Sequence, residues 1–205
     1  MTQVFLASRN AKKVAEMQRI LAAYVPDIEV LGLDDVKPYE EPAETEPTFE
    51  GNALIKARVA VRATGLPSLA DDSGLCVDAL NGMPGVLSAR WAGGKDDRAN
   101  NELLLAQLQD VPDGRRAAHF TCAAAFAYPV GAGGTAEHVV HGEMSGRVIR
   151  ETRGSGGFGY DVLFVPDGHD RTCAELPAEE KDAISHRGTA LREIAPVVAD
   201  VLIGL

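Results

Sequence analysis

Residues Ser68-Leu69-Ala70-Asp71-Asp72-Ser73-Gly74-Leu75-Cys76-Val77-Asp78-Ala79-Leu80 read as a short apolar strand over 68–70, an acidic interruption at 71–74 and a resumed strand over 75–80. The pair Asn81-Gly82 closes it as a turn. On the N-terminal side, Thr48 is placed to cap a helix reaching about Thr64, where Gly65 and Pro67 supply stop signals. Further back, Val4–Ala7 reads as a buried strand and Asn10 as the cap of a helix. Val14, Met17, Ile20, Leu21 and Tyr24 share one face of that helix, and Pro26 stops it. Ile28–Leu33 reads as another strand.

On the C-terminal side, Leu103, Leu104 and Leu108 predict a helix after Asp96-Asp97. Ala117–Tyr128 and Glu137–Ile149 read as long strands joined through Gly131-Ala132-Gly133-Gly134, and so as an antiparallel hairpin. Asp161–Val165 reads as a last strand. A final helix begins near Ser185 with Ala190, Leu191, Ile194, Val197, Val198 and Val201 inward. Strands alternating with helices and then a hairpin predict an α/β protein: an elongated mixed sheet flanked by helices, two lobes sharing it, and a cleft between them. We expect a single domain over 1–205, because no linker or internal repeat interrupts the chain.

Bulk composition narrows the chemistry. Thirty acidic against twenty basic residues leave a formal charge of −10, which opposes binding to a nucleic acid polymer, where cationic surface supplies most of the affinity. No apolar run approaches the ~20 residues of a membrane span, and the first residues lack a basic segment followed by a long apolar one. A soluble, cytoplasmic protein is the expectation. Cys76, Cys122 and Cys173 are odd in number and widely spaced, which predicts free thiols rather than disulfides or a zinc site.

Several patterns carry possible chemistry, each beside a plainer reading. Ser8-Arg9-Asn10-Ala11-Lys12-Lys13, between strand and helix, suits either phosphate at a helix N-terminus or a capped surface helix with solvated lysines. Lys56 reads singly as a solvated helix residue. Asp71 and Asp72 are costly near a core without a cation, so they mark either a hard-metal site or an acidic surface turn. Gly154-Ser155-Gly156-Gly157-Phe158-Gly159 matches G-x-G-x-x-G, but a strand rather than a helix is expected after it, which rejects dinucleotide binding. Those glycines instead let backbone approach a flat ligand with Phe158 and Tyr160 available to stack, or form a tight turn whose aromatics belong to the core. Ser185 is an N-cap before His186 and Arg187, with Lys181 close by.

Five blocks occur in order: Ser8-Arg9-Asn10-x-x-Lys13, Phe49-x-x-Asn52-Ala53-x-x-Lys56-Ala57, Ala70-Asp71-Asp72-Ser73-Gly74-Leu75, Gly156-Gly157-Phe158-Gly159-Tyr160-Asp161, and Ala174-Glu175-Leu176 through Lys181 to Ser185-His186-Arg187-Gly188. Together they closely resemble the inosine/xanthosine triphosphate pyrophosphatase family, which acts on non-standard purine nucleotides. The resemblance implies a homodimer with the nucleotide in the interlobe cleft, Mg2+ as cofactor, and hydrolysis of ITP, dITP or XTP to monophosphate and pyrophosphate. By position, Ser8 to Lys13 (Ser8, Arg9, Asn10, Ala11, Lys12, Lys13) and Lys56 would face the triphosphate. Asp72 would be proton acceptor and metal ligand, with Asp71 beside it and Ser73 a substrate contact. Phe158, Gly159, Tyr160, Asp161, Lys181, His186 and Arg187 would surround base and sugar. Some relatives carry adjacent glutamates just before the helix. This chain has Glu40-Glu41-Pro42-Ala43-Glu44, so Glu44 is the best match to the second metal carboxylate and Glu41 competes with it. A metal-dependent phosphatase or nuclease built on Asp71 and Asp72, or a non-catalytic nucleotide sensor, are the alternatives.

Overall fold

A computed structural model of the chain describes residues 2–94 and 96–204, without the side chains of Lys12 and Ala132. In chain order it contains β1 (Thr2–Leu6), α1 (Ala11–Ala22), β2 (Ile28–Leu31), α2 (Phe49–Thr64), β3 (Ser68–Val77), α3 (Asp97–Gln107), β4 (Ala117–Val130), β5 (Gly134–Val148), β6 (Phe164–Pro166), α4 (Ala178–Ile184) and α5 (His186–Gly204). The strands form one mixed sheet in the order β2-β1-β3-β4-β5-β6. β1 runs parallel to β2, with Val4 opposite Val30, and to β3, with Phe5 opposite Ser68. β5 and β6 are antiparallel, with Arg147 opposite Val165. The link between β4 and β5, Gly131–Gly133, is three residues long, far too short for the dozen or more that a parallel crossover requires. Helices flank the sheet, as the alternating pattern predicts.

The chain separates into two compact units. Unit 1 comprises Met1–Asp72, Ala123–His141 and Ala190–Leu205, and unit 2 comprises Ser73–Cys122 and Gly142–Thr189. In unit 1, Ala53, Ala57 and Val61 of α2 pack with Ala70 of β3 and Ala123, Ala125 and Ala127 of β4. The i, i+4 spacing of the helix residues and the i, i+2 spacing of the strand residues put each set on one face. Phe5, Leu33 and Ala60 form a second cluster there. Unit 2 has a bulkier core: Leu75 and Val77, Leu104 and Leu108, Phe120, Met144, Val148, Tyr160, Leu163, Phe164 and Cys173.

Caps confirm the bounds of α2. Thr48 Oγ1 accepts from Gly51 N at 3.1 Å, a contact worth about 1 kcal/mol, and Gly65 closes the far end at φ 73°. Asp96 caps α3 by accepting from Arg98 N and Ala99 N. Several expected bounds are corrected. The acidic residues 71–74 do not interrupt a strand, since β3 is continuous from Ser68 to Val77 and then passes into a 3₁₀ turn at Asp78–Leu80. Tyr160 and Asp161 lie in a 3₁₀ turn, Gly159–Val162, so the last strand begins only at Phe164. β2 ends at Leu31 rather than Leu33. Tyr24 lies past the end of α1 and is exposed, because the helix stops at Ala22, four residues short of Pro26. The short helix α4 carries no long apolar period and was not expected. Among the described residues, no helix is long and apolar enough to cross a membrane.

Candidate active site

In unit 1 the charged side chains hold one another. Consecutive strand residues face opposite ways, so Asp71 and Asp72 of β3 take different partners. Asp71 accepts from Lys13 Nζ at 2.9 Å and 2.8 Å, one bond to each carboxylate oxygen. Asp72 accepts from Lys56 Nζ at 3.1 Å and from Asn52 Nδ2 at 3.2 Å. Lys56, on α2, also donates to Glu44 Oε1 at 3.0 Å and to the Asp71 carbonyl at 2.7 Å. One ammonium therefore brings together oxygens from a strand and a loop. Burial works against the Lys56 charge, but Asp72, Asp71 and Glu44 outweigh it and raise its pKa. Burial raises the Asp72 pKa, and Glu44 adds to that while Lys56 opposes it.

These positions separate the two candidate glutamates. Glu44 reaches the Lys56 ammonium beside Asp72, whereas Glu41 accepts from Arg9 Nε at 2.9 Å and Nη2 at 2.8 Å. Arg9 also lies 3.5 Å from Asp34. The Ser8–Lys13 segment turns from β1 into α1: Ser8 Oγ accepts from Asn10 N, and the Asn10 carbonyl accepts from Val14 N. Ala11 opens the helix and is exposed. The Lys12 side chain lies outside the described residues. Among the described residues, no three His, Cys, Asp or Glu side chains form a metal-binding group. Asp72 and Glu44 supply hard oxygen donors around a single cation, which suits an ion that takes one or two carboxylates plus water and phosphate oxygens.

Asn52 is fully buried among the alanines of α2, where its Oδ1 accepts from Glu46 N while its Nδ2 serves Asp72. It belongs to the block Phe49-x-x-Asn52-Ala53-x-x-Lys56-Ala57, but sequence reasoning assigned it no role. A polar residue at i−1 from Ala53, on an otherwise small apolar face, was the available signal.

In unit 2, Lys181 and Arg187 lie against residues 158–161. Phe158 is 44% exposed. Lys181 Nζ lies 5.2 Å and Arg187 Cζ 5.5 Å from its ring centroid, within cation–π range. Asp161 Oδ2 accepts from Phe158 N at 2.9 Å and also from Lys181 Nζ. Gly157 sits at φ 70°, and a Cβ there would collide with that same carboxylate, so the close turn demands glycine. Tyr160 is buried and donates to the Ser88 carbonyl at 2.9 Å; burial, with Asp97 adding, raises its phenol pKa, so it stays a neutral donor. His186 stacks on Phe120 at 4.8 Å, and Ser185 Oγ accepts from Gly188 N to cap α5. Ser73 is half-buried in β3.

A sequence model described as the Ham1 family matches residues 4–197. The dITP/XTP pyrophosphatase of Nocardia farcinica is 61% identical over 201 residues, covering 97% of this chain and 96% of that protein. The dITP/XTP pyrophosphatase of Frankia alni is 56% identical over 206 residues, covering 98% of each. Among solved structures, a HAM1 protein from Coxiella burnetii matches with a TM-score of 0.87 at 42% identity, over 98% of this chain and 100% of that one.

Proposed function

The chain belongs to the Ham1 family, and from that premise we propose that it hydrolyses the non-standard purine nucleoside triphosphates ITP, dITP and XTP to the monophosphate and pyrophosphate. The observation that carries the residue assignments is the bridging of Asp72 and Glu44 by Lys56. Such a group of paired opposite charges can exchange partners when a polyanion and a cation arrive together.

In this reading Lys13 and Lys56 neutralise the triphosphate, helped by the segment Ser8, Arg9, Asn10, Ala11 and Lys12 at the start of α1. Asp72 accepts a proton from the attacking water, and scission of the α–β anhydride leaves monophosphate and pyrophosphate. Asp72 and Glu44 would hold a divalent cation, Mg2+ by the chemistry of its donors, with Asp71 and Ser73 beside them. Such an ion supplies Lewis acidity toward phosphate oxygens. Glu41 acts on Arg9 instead.

Phe158 stacks on the purine, while Gly159, Tyr160, Asp161, Lys181, His186 and Arg187 surround base and sugar. A 6-oxo purine offers an acceptor at O6 and a donor at N1, and adenine reverses both, so donors near the start of α5 favour the oxo form. Each mismatched buried partner costs about 1–3 kcal/mol. The protein acts as a single-domain homodimer in the cytoplasm on a free nucleotide. Incubation with ITP and Mg2+ tests this reading: pyrophosphate release supports it. Orthophosphate release identifies a phosphatase, and binding without turnover a sensor.

A further inference from the structure

Phe158 is exposed, with Lys181 and Arg187 against its ring, so the position of that ring also depends on the backbone that carries it. The backbone on its C-terminal side is gripped twice by one helix. Gly159 N donates to Asp97 Oδ2 at 2.7 Å, and the Gly159 carbonyl accepts from Asn101 Nδ2 at 2.9 Å. Both polar groups of a single peptide-flanking residue are thus taken up by side chains one helical turn apart on α3.

That helix is itself immobilised. Asp96 caps its start, and Leu104 and Leu108 are fully buried in the unit 2 core. Beyond its end, Arg116 Nη1 donates to the Leu108 carbonyl, and Arg150 donates to the carbonyls of Gln109 and Val111. Cations on these carbonyls also match the helix dipole. A rigid element therefore carries the two side chains that clamp Gly159.

Asn101 shows a cost consistent with that task. It is 6% exposed and spends its amide donors on the Asp97 and Gly159 carbonyls, while its Oδ1 is buried with no hydrogen-bond partner among the described residues. A polar residue in this position is not explained by stability alone.

We propose that Asp97 and Asn101 are positioning residues that fix the 158–161 segment and so present Phe158 to the base. The consequence for turnover rests on the pyrophosphatase reading above, whereas the clamp itself does not. Neither residue is among the proposed substrate contacts, which sets them apart from Asp161 and Lys181.

Four variants of the full chain test the proposal: Asn101→Ala, Asp97→Ala, Asp97→Asn and, as control, Arg98→Ala on the same helix. Amide hydrogen exchange of the peptide covering 157–163 is measured without nucleotide, and kcat and KM with ITP and ATP. We expect exchange to quicken about tenfold in Asn101→Ala and Asp97→Ala, with KM for ITP up about 5- to 10-fold and kcat within about twofold. Asp97→Asn retains an oxygen acceptor for Gly159 N and should restore most of the loss, and Arg98→Ala should change nothing. Unchanged exchange in both alanine variants overturns the proposal, as does a fall in kcat at constant KM or failure of Asp97→Asn to rescue. If Asn101→Ala does not fold, the exposed Asp97 pair of variants decides alone. Quickened exchange in a chain that leaves ITP intact would retain the clamp and sink the pyrophosphatase reading.

Discussion

In unit 1, Lys13, Lys56, Asp71, Asp72 and Glu44 are held by each other's charges, whereas in unit 2 the 158–161 segment is held by hydrogen bonds to its backbone. The difference separates two ways of keeping a reactive surface in order. Paired charges need one another, so losing one leaves another buried and uncompensated. A backbone-held segment leaves its side chain available, so Phe158 remains exposed while its main chain is fixed. Stability and chemistry should therefore be coupled in the first region and separable in the second.

The sharpest way to break this comparison is Asp72→Asn. Turnover of ITP should fall by about 10³-fold or more, while ITP affinity in a binding titration changes little. Normal pyrophosphate release from that variant would remove Asp72 from its assigned role. Next in size is Lys56→Met, which leaves Asp72 and Glu44 facing each other with side chains only 10% and 28% exposed. It should cost about 3 kcal/mol in urea unfolding, and an unchanged midpoint would show that the group does not rely on its lysine.

Phe158→Ala should do the reverse. Its unfolding midpoint should stay put, and KM for ITP should rise roughly tenfold, the worth of a single base–aromatic stack. A large loss of stability would place the ring in the core after all. The smallest effect belongs to a surface pair, Arg58 with Glu137, where Nε and Nη2 reach the two carboxylate oxygens at 2.6 and 2.7 Å. Hydrogen bonding from Arg58 lowers the Glu137 pKa. Its contribution is thus present above the ordinary glutamate range and is lost as pH falls through the lowered value. Arg58→Ala should cost under about 1 kcal/mol at neutral pH, less in high salt, because the Arg58 side chain is 44% exposed and water screens its charge. A cost equal to that of Lys56→Met would erase the distinction between buried and exposed pairs.

Much of this was legible without coordinates, for local reasons. Thr48 and Gly65 bound α2 because capping and left-handed closure depend on neighbours within a few residues. The hairpin of β4 and β5 follows from a link too short to cross over. Other features failed for equally physical reasons. Asp71 and Asp72 looked like a break in a strand, since two charges in an apolar run are costly alone, yet Lys13 and Lys56 from two helices remove that cost and let β3 continue. Glu41 and Glu44 lie three residues apart, and although Glu44 is the better match to the family pattern, the register of the loop leaves Glu41 in competition with it. Only the folded loop sends one to Arg9 and the other to Lys56.

The amino-acid order by itself determined most of the elements, the caps of α2, the hairpin and the set of residues bearing charge, because those depend on propensity and spacing along the chain. Partnership was decided by tertiary structure. The sheet order β2-β1-β3-β4-β5-β6, the separate partners of Asp71 and Asp72, and the grip of Asp97 and Asn101 on Gly159 join residues as far as 63 positions apart. Such contacts form only when non-local packing has met the entropy of closing the intervening loops, and no local pattern records that.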